Sequence, residues 1–131
     1  MTEPRWLGKA LVLALHERSM AEHGGRPGLR DEGLLDSALM RPRNLAAYGD
    51  PDLCILAAAY LAAIVRNHPF LDGNKRTGFM AAYVFLADNG LRLTAPEAET
   101  ARMVIALAAG EIEDSAMADW LRRNVEPRQL S

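Results

Sequence analysis

An all-α domain is the expectation for this sequence, and three observations carry it. Ala and Leu dominate a chain that is 50% apolar but only 6% aromatic, a balance that suits helices, whereas a sheet draws on Val, Ile, Thr and aromatic residues. Apolar residues recur at three- and four-residue spacing. Stop and start signals stand between these stretches: Gly24-Gly25, Asp50-Pro51 and Asn89-Gly90. With 131 residues, one domain spanning 1–131 is the default, large enough for a core without disulfide or metal staples.

The elements follow in order. "EPRWLGKALVLALHERSMAEHGG" reads as a first helix, with Trp6, Leu7, Ala10, Leu11, Ala14 and Leu15 at helical spacing and Gly24 and Gly25 as its stop. "RPGLRDEG" is a loop. "LLDSALMR" reads as a short second helix that ends before Pro42, because a proline disfavours helical backbone in the residue ahead of it. "PRNLAAYGD" then reads as irregular, a candidate flap. Asp50 and Pro51 make an N-cap and first-turn pair for a third helix reaching about Asn67. The middle of that helix is apolar all round, which predicts burial on all sides. A fourth helix runs from Asn74 to Asp88, closed by Asn89-Gly90. "LRL" is a short extended piece. Thr94 and Glu97 form a capping-box pattern ahead of a fifth helix that ends near Gly110, and Asp114 or Ser115 opens a sixth through "MADWLRR". The tail "VEPRQLS" is expected to fray. The sum is a compact bundle of about six helices, with the third and fourth as its buried central pair.

Charge and cysteine usage narrow the function classes. The net charge is −2, without the basic excess of a general nucleic-acid binder, so direct DNA binding through helices two and three is a weak reading; a local basic spot stays open. Cys54 is the only cysteine, which rules out an internal disulfide, and its apolar neighbours predict a buried, inert thiol. "MTEPRW" carries no basic leader pattern, and the longest unbroken apolar run, Leu53 to Val65, is too short to span a bilayer. A soluble, cytoplasmic protein without membrane contact is expected. His16 and His23 are expected to be solvated, since a zinc site needs three or four ligands and no third stands nearby. "GGRPG" is a turn rather than a phosphate loop. Trp6 and Trp120 are expected to pack at the ends of the terminal helices, with a partner groove as the alternative. Arg122 and Arg123 read as last-turn charges.

One stretch resists a purely structural explanation: "RNHPFLDGNKRTG", residues 66 to 78, between the two apolar central helices. Polar groups beside a core are costly unless paired or solvated. A plain turn needs a glycine and a capping residue, which Gly73 and Asn74 supply; it has no use for Arg66, His68, Asp72, Lys75 and Arg76 as well. Asn74 starts the fourth helix, so the N–H groups of residues 75 to 77 are expected to point out of its end, where orphan donors and the helix dipole attract anions. Lys75 and Arg76 add positive charge there. Asp72, just ahead, is a carboxylate of the kind that shares Mg²⁺ with polyphosphate. His68 is the residue type that takes a proton from an attacking hydroxyl. Pro69 and Phe70 anchor the loop, Phe70 pointing into the core. A base, a metal carboxylate and a cationic cradle are the parts of phosphoryl or nucleotidyl transfer.

At these residues the sequence resembles the Fic/Doc superfamily. Its Fic signature is H-P-F-x-(D/E)-G-N-G-R-x-x-R, and here stand His68-Pro69-Phe70-Leu71-Asp72-Gly73-Asn74-Lys75-Arg76-Thr77-Gly78-Phe79. Lys75 replaces the small glycine, and Phe79 replaces the second arginine. Both departures match the death-on-curing (Doc) branch, whose motif resembles H-x-F-x-D-(A/G)-N-K-R-T. "HGGRPGLRDEGLLDSALMRPR", "FLADNG" and "AAGEIEDSAMADWLRR" resemble the remaining parts of Doc-like toxins, so the likeness spans nearly the whole chain.

The resemblance implies the toxin of a type II toxin–antitoxin pair, using ATP and Mg²⁺ to phosphorylate a threonine of translation elongation factor Tu and block translation. The alternatives are Fic-type AMP transfer on the same fold, or a catalytically weak co-regulator that binds antitoxin. A lysine where Fic enzymes keep glycine fills and charges the space beside the α-phosphate, which favours a reversed nucleotide that presents its γ-phosphate. By the same resemblance His68 is the base, Asp72 holds Mg²⁺ or orients phosphates, and Asn74, Lys75 and Arg76 cradle phosphate oxygens with Gly73 contributing backbone. Lys75 counts with His68 and Asp72 as catalytic. Arg66 is assigned to substrate or phosphate contact, with capping of the third helix as the alternative. The segment 43–50 matches the flap that aligns the target peptide. The inhibitory pattern S/T-x-x-x-E-G/N of many Fic proteins is absent from the sequence, so inhibition is expected from an antitoxin whose C-terminal helix lies in a surface groove. DNA contact would then be indirect, through the antitoxin.

Overall fold

The computed structural model describes residues 3–129. Its elements are α1 (Lys9–His23), α2 (Glu32–Ala47), α3 (Leu53–Asn67), α4 (Asn74–Asp88), β1 (Leu91–Leu93), α5 (Glu97–Ala108), α6 (Asp114–Arg123) and β2 (Val125–Pro127). The expected all-α architecture forms, with one small antiparallel ribbon in which Leu91 faces Pro127 and Leu93 faces Val125.

α3 is the axis of the fold. Ten of its fifteen residues are buried, which is what an all-round apolar sequence requires, and α2, α4 and α6 pack around it. Tyr60, Ile64 and Leu61 of α3 join Phe85 of α4, Leu35 of α2 and Leu121 of α6 in the core. Burial of each such side chain contributes about 1.5–3 kcal/mol. The α3–α4 crossing is close because Gly78 lies on it: a Cβ there would stand 3.1 Å from Leu61 Cδ1 and 3.3 Å from the Leu61 carbonyl oxygen. Gly78 lies one turn into α4, so the contact fixes where that helix begins relative to the end of α3. Cys54 is buried as expected, and burial pushes its thiol up. No helix among the described residues is long and apolar enough to cross a membrane.

Several elements differ from the sequence expectation. α1 begins at Lys9, leaving Trp6 and Leu7 ahead of it, and its buried residues are Val12, His16, Ser19 and Met20. Leu11 is partly exposed, so the apolar stripe read from the sequence has the wrong phase. α2 does not stop before Pro42. The proline lies inside the helix, on the buried stripe Leu35, Ala38, Leu39 and Pro42, and Leu45 and Ala46 continue the packing. The stripe's burial against α3 offsets the roughly 3 kcal/mol cost of an interior proline. Most of the expected flap is therefore helical; only residues 48–52 stand between α2 and α3, with Tyr48 93% exposed.

Asp52, not Asp50, caps α3, its Oδ1 accepting from the Ile55 N–H at 2.9 Å. Thr94 caps nothing: α5 starts after Pro96, and the Thr94 hydroxyl donates to the Asn124 carbonyl at 2.9 Å. The tail is partly ordered as β2, and the Arg128 N–H donates to the Gly90 carbonyl at 2.8 Å. Residues 130 and 131, also read as fraying, lie outside the described residues. Trp120 is buried, its Nε1–H donating to Glu99 at 2.9 Å. Trp6 stacks on Phe85 at 6.1 Å ahead of α1.

Candidate active site

The motif loop joins the C-terminus of α3 to the N-terminus of α4. His68 ends α3 in the left-handed region, at φ 55° and ψ 52°, and is the one non-glycine residue with positive φ among those described. That conformation costs an L-residue about 1–2 kcal/mol and is held by surrounding bonds. The His68 N–H donates to the Ile64 carbonyl at 3.1 Å. Arg30 Nε donates to the His68 carbonyl at 2.7 Å, and Arg30 Nη2 to the Asn67 carbonyl at 2.8 Å. With its backbone tied down, the His68 imidazole stands exposed.

The loop between α1 and α2 laces along the motif. The Arg30 and Asp31 N–H groups both donate to the Pro69 carbonyl, at 2.7 and 3.0 Å, and the Leu71 N–H donates to the Gly28 carbonyl at 3.1 Å. Phe70 points into the core as expected. Asn74, only 4% exposed, turns its side chain back onto Phe70: Oδ1 accepts from the Phe70 N–H and Nδ2 donates to the Phe70 carbonyl, both at 3.0 Å. The Asn74 amide therefore shapes the loop, and what it can offer an anion is its backbone N–H.

Gly73, at φ 75°, is the N-cap of α4 and brings no side chain to the helix end. The Thr77 N–H is used by the Gly73 carbonyl at 2.9 Å. The orphan donors at this tip are consequently those of Asn74, Lys75 and Arg76, one position earlier than the sequence suggested. Lys75 and Arg76 are exposed and form no ion pair among the described residues. Their side chains border a groove of about 560 Å³ between α4, β1 and α5, floored by Phe79, Tyr83, Val104 and Ile105.

Asp72 sits just ahead of the tip. Its Oδ2 accepts from the Arg26 N–H at 3.1 Å and its Oδ1 from the Gly73 N–H at 2.8 Å. Those two N–H groups, with the guanidinium charges of Arg26 and Arg76 behind them, hold its carboxyl below the usual carboxylate range. Each oxygen spends one lone pair on a backbone donor and keeps another. A single carboxylate with free lone pairs is a donor of the kind that could share Mg²⁺ with polyphosphate, an ion that takes most of its shell from phosphate and water. No cluster of three or more potential metal ligands exists among the described residues, so the fold builds no all-protein cage.

Two residues have partners that the sequence did not indicate. Arg66 pairs with Asp114 at the start of α6 and lines a small notch with Ser37, Arg41 and Asn44. It does not cap α3; Arg30 does. His16 is not solvated. It is 3% exposed beneath the motif, its ring stacked on Phe70 at 3.8 Å and 9°, with Nε2 2.9 Å from the Asp72 carbonyl oxygen. His23 is exposed, 3.9 Å from Glu22. His16, read from the sequence as a solvated residue, and Met20 and Arg30 are neighbours of the motif that the sequence did not place there.

The sequence model of the Fic/DOC family matches residues 6–86, which takes in the motif and the helices on both sides of it. The chain is 38% identical over 113 residues to Protein kinase doc of Escherichia phage P1, covering 86% of this chain and 89% of that protein. It is 48% identical over 75 residues to Toxin Doc of Mycolicibacterium smegmatis, covering 55% of this chain and 57% of that relative. Likeness that runs through the central helices and the loop between them, rather than through the motif alone, makes this chain a member of the Fic/DOC family.

Proposed function

We propose that this chain is the toxin of a type II toxin–antitoxin pair, and that it transfers the γ-phosphoryl group of ATP to a threonine hydroxyl of translation elongation factor Tu. The observation that carries the reading is the α4 tip: three orphan N–H groups without a side-chain cap, flanked by Lys75 and Arg76, which form no ion pair among the described residues, beside an exposed His68. The match to a protein named as a kinase over most of both chains supports phosphoryl transfer.

In this mechanism the phosphates lie on the N–H groups of residues 74–76, and Lys75 and Arg76 carry the charge that spreads over the transferring group. His68 accepts the proton of the threonine hydroxyl as its oxygen bonds to the γ-phosphorus. The bond from that phosphorus to the bridging oxygen breaks, and ADP leaves with the electron pair. Asp72 is the residue that would hold Mg²⁺, which would supply charge neutralisation to the phosphates. The groove beside Lys75 and Arg76, with Tyr83 and Ile105 exposed on its apolar floor, suits an amphipathic antitoxin helix that carries acidic residues at one end.

The test is incubation of the protein with ATP, Mg²⁺ and purified elongation factor Tu, read by intact mass. A gain of about 80 Da marks phosphate and about 329 Da marks AMP, the masses of the two groups that the rival reactions transfer. Phosphate on a threonine, absent with His68→Ala, is the expected result; AMP on the target replaces the kinase reading with its rival, and an unchanged target removes both.

A further inference from the structure

We propose that His16 is a positioning residue for the phosphate-binding tip of α4, acting through the peptide unit between Asp72 and Gly73. The proposal rests on the reading of that tip as the phosphate site. The Asp72 carbonyl and the Gly73 N–H are the two ends of one peptide plane. The carbonyl end lies 2.9 Å from His16 Nε2, and the N–H end donates to the Asp72 carboxylate at 2.8 Å. A carbonyl oxygen only accepts, so His16 carries its proton on Nε2. The plane is thereby pinned at both ends.

The plane needs pinning because Gly73 is permissive. At φ 75° a glycine can exchange between turn forms by flipping the preceding peptide, at little steric cost. Such a flip would remove the Gly73 N–H from the Asp72 carboxylate and take Gly73 away from the φ of 75° at which it caps α4. His16 opposes the flip from a fixed position: its ring is held against Phe70, and the Phe70 backbone is clamped by Asn74. Met20, one turn further along α1, completes the seat. A Cβ on Gly73 would collide with Met20 Cε, and one on Gly25 would lie 2.7 Å from Met20 Sδ and 2.9 Å from Asp72 Oδ2. The face of α1 is thus the template on which the turn is set.

Two substitutions separate the donor from the ring. His16→Phe keeps the stack and removes the donor; His16→Gln keeps an amide N–H near the Nε2 position and removes the stack. The readouts are the melting temperature, the amide exchange of Gly73, and kcat and KM for ATP in the transfer reaction. We expect H16F to stay folded, to exchange its Gly73 amide faster and to lose about tenfold in kcat/KM, the worth of one well-placed hydrogen bond, while H16Q recovers most of both. The His16 ring in the wild-type protein should show its proton on Nε2 by long-range nitrogen-15 correlation. A proton on Nδ1, an H16F variant with unchanged rate and Gly73 exchange, or an H16Q variant as impaired as H16F overturns the proposal. A wild-type protein that transfers nothing defeats the functional reading instead; the Gly73 exchange of H16F against H16Q then still decides whether His16 sets the turn.

Discussion

Asn74 clamps Phe70 by both of its backbone groups, accepting from its N–H and donating to its carbonyl at 3.0 Å each. The five-residue ring so formed, Phe70 to Asn74, gives the loop its shape with one end in the core and the other at the helix tip. Removing the clamp strands two buried backbone groups. Asn74→Ala should cost roughly 2–4 kcal/mol of unfolding free energy, two lost bonds plus the desolvation left behind. Urea denaturation measures it. An unchanged midpoint would mean that the lacing from residues 28–31 holds the loop by itself.

His68 sits in a conformation that suits glycine better than histidine, so stability and function should part company there. His68→Gly should be more stable than His68→Ala by about 1 kcal/mol, because only the alanine keeps the left-handed penalty. Both should lose about 10²–10⁴ in transfer rate if the imidazole is the base. Transfer by the glycine variant at the wild-type rate would remove His68 from the chemistry.

Lys75 and Arg76 are exposed and lack ion-pair partners among the described residues, so their truncation should leave the fold alone. Lys75→Ala and Arg76→Ala are each expected to change stability by less than about 0.5 kcal/mol. Each should weaken ATP binding by about 1.5–3 kcal/mol, the range for a charge-assisted hydrogen bond. Calorimetric titration of the nucleotide reads the affinity. Arg66→Ala is the contrast: its guanidinium is occupied by Asp114, and ATP affinity should be unaffected.

The parts of this fold that show in the sequence are those where one local signal meets no opposition. α3 is apolar all round and α4 is bounded by Asn74 and Asn89, so both were legible to within a residue or two. Pro42 breaks the local steric rule because the stripe it stands on outweighs it; Leu45 and Ala46 continue that stripe and packing wins. The two acid residues at 50 and 52 both suit an N-cap, and only the position of the Ile55 N–H chooses between them. His16 was hidden for a related reason. Val12, His16, Ser19 and Met20 repeat at helical spacing, but a histidine and a serine disguise the stripe, and the leucines beside them suggest another phase. A buried polar residue on a helix declares itself only when its partner, here the Asp72 carbonyl fifty-six residues later, is brought to it. Arg30 is legible in the same way only from the α3 carbonyls it reaches.

Asp72 links the site to acidity. The Arg26 and Gly73 N–H groups stabilise its ionised form, so its folded pKa lies below the value of about 4 expected for a free aspartate in the unfolded chain. A depressed carboxylate contributes stability in full above the unfolded value and loses it as pH falls through the lower folded value. Asp72→Asn cannot titrate. The stability gap between the wild-type protein and D72N should therefore be constant from about pH 8 to about pH 5 and shrink below about pH 4, while acid effects common to both proteins cancel in the difference. Urea midpoints for the pair across that range measure the gap. If it stays constant down to about pH 3, the two backbone donors do not discriminate between the charged and neutral carboxyl, and Asp72 is held at the α4 tip by geometry alone.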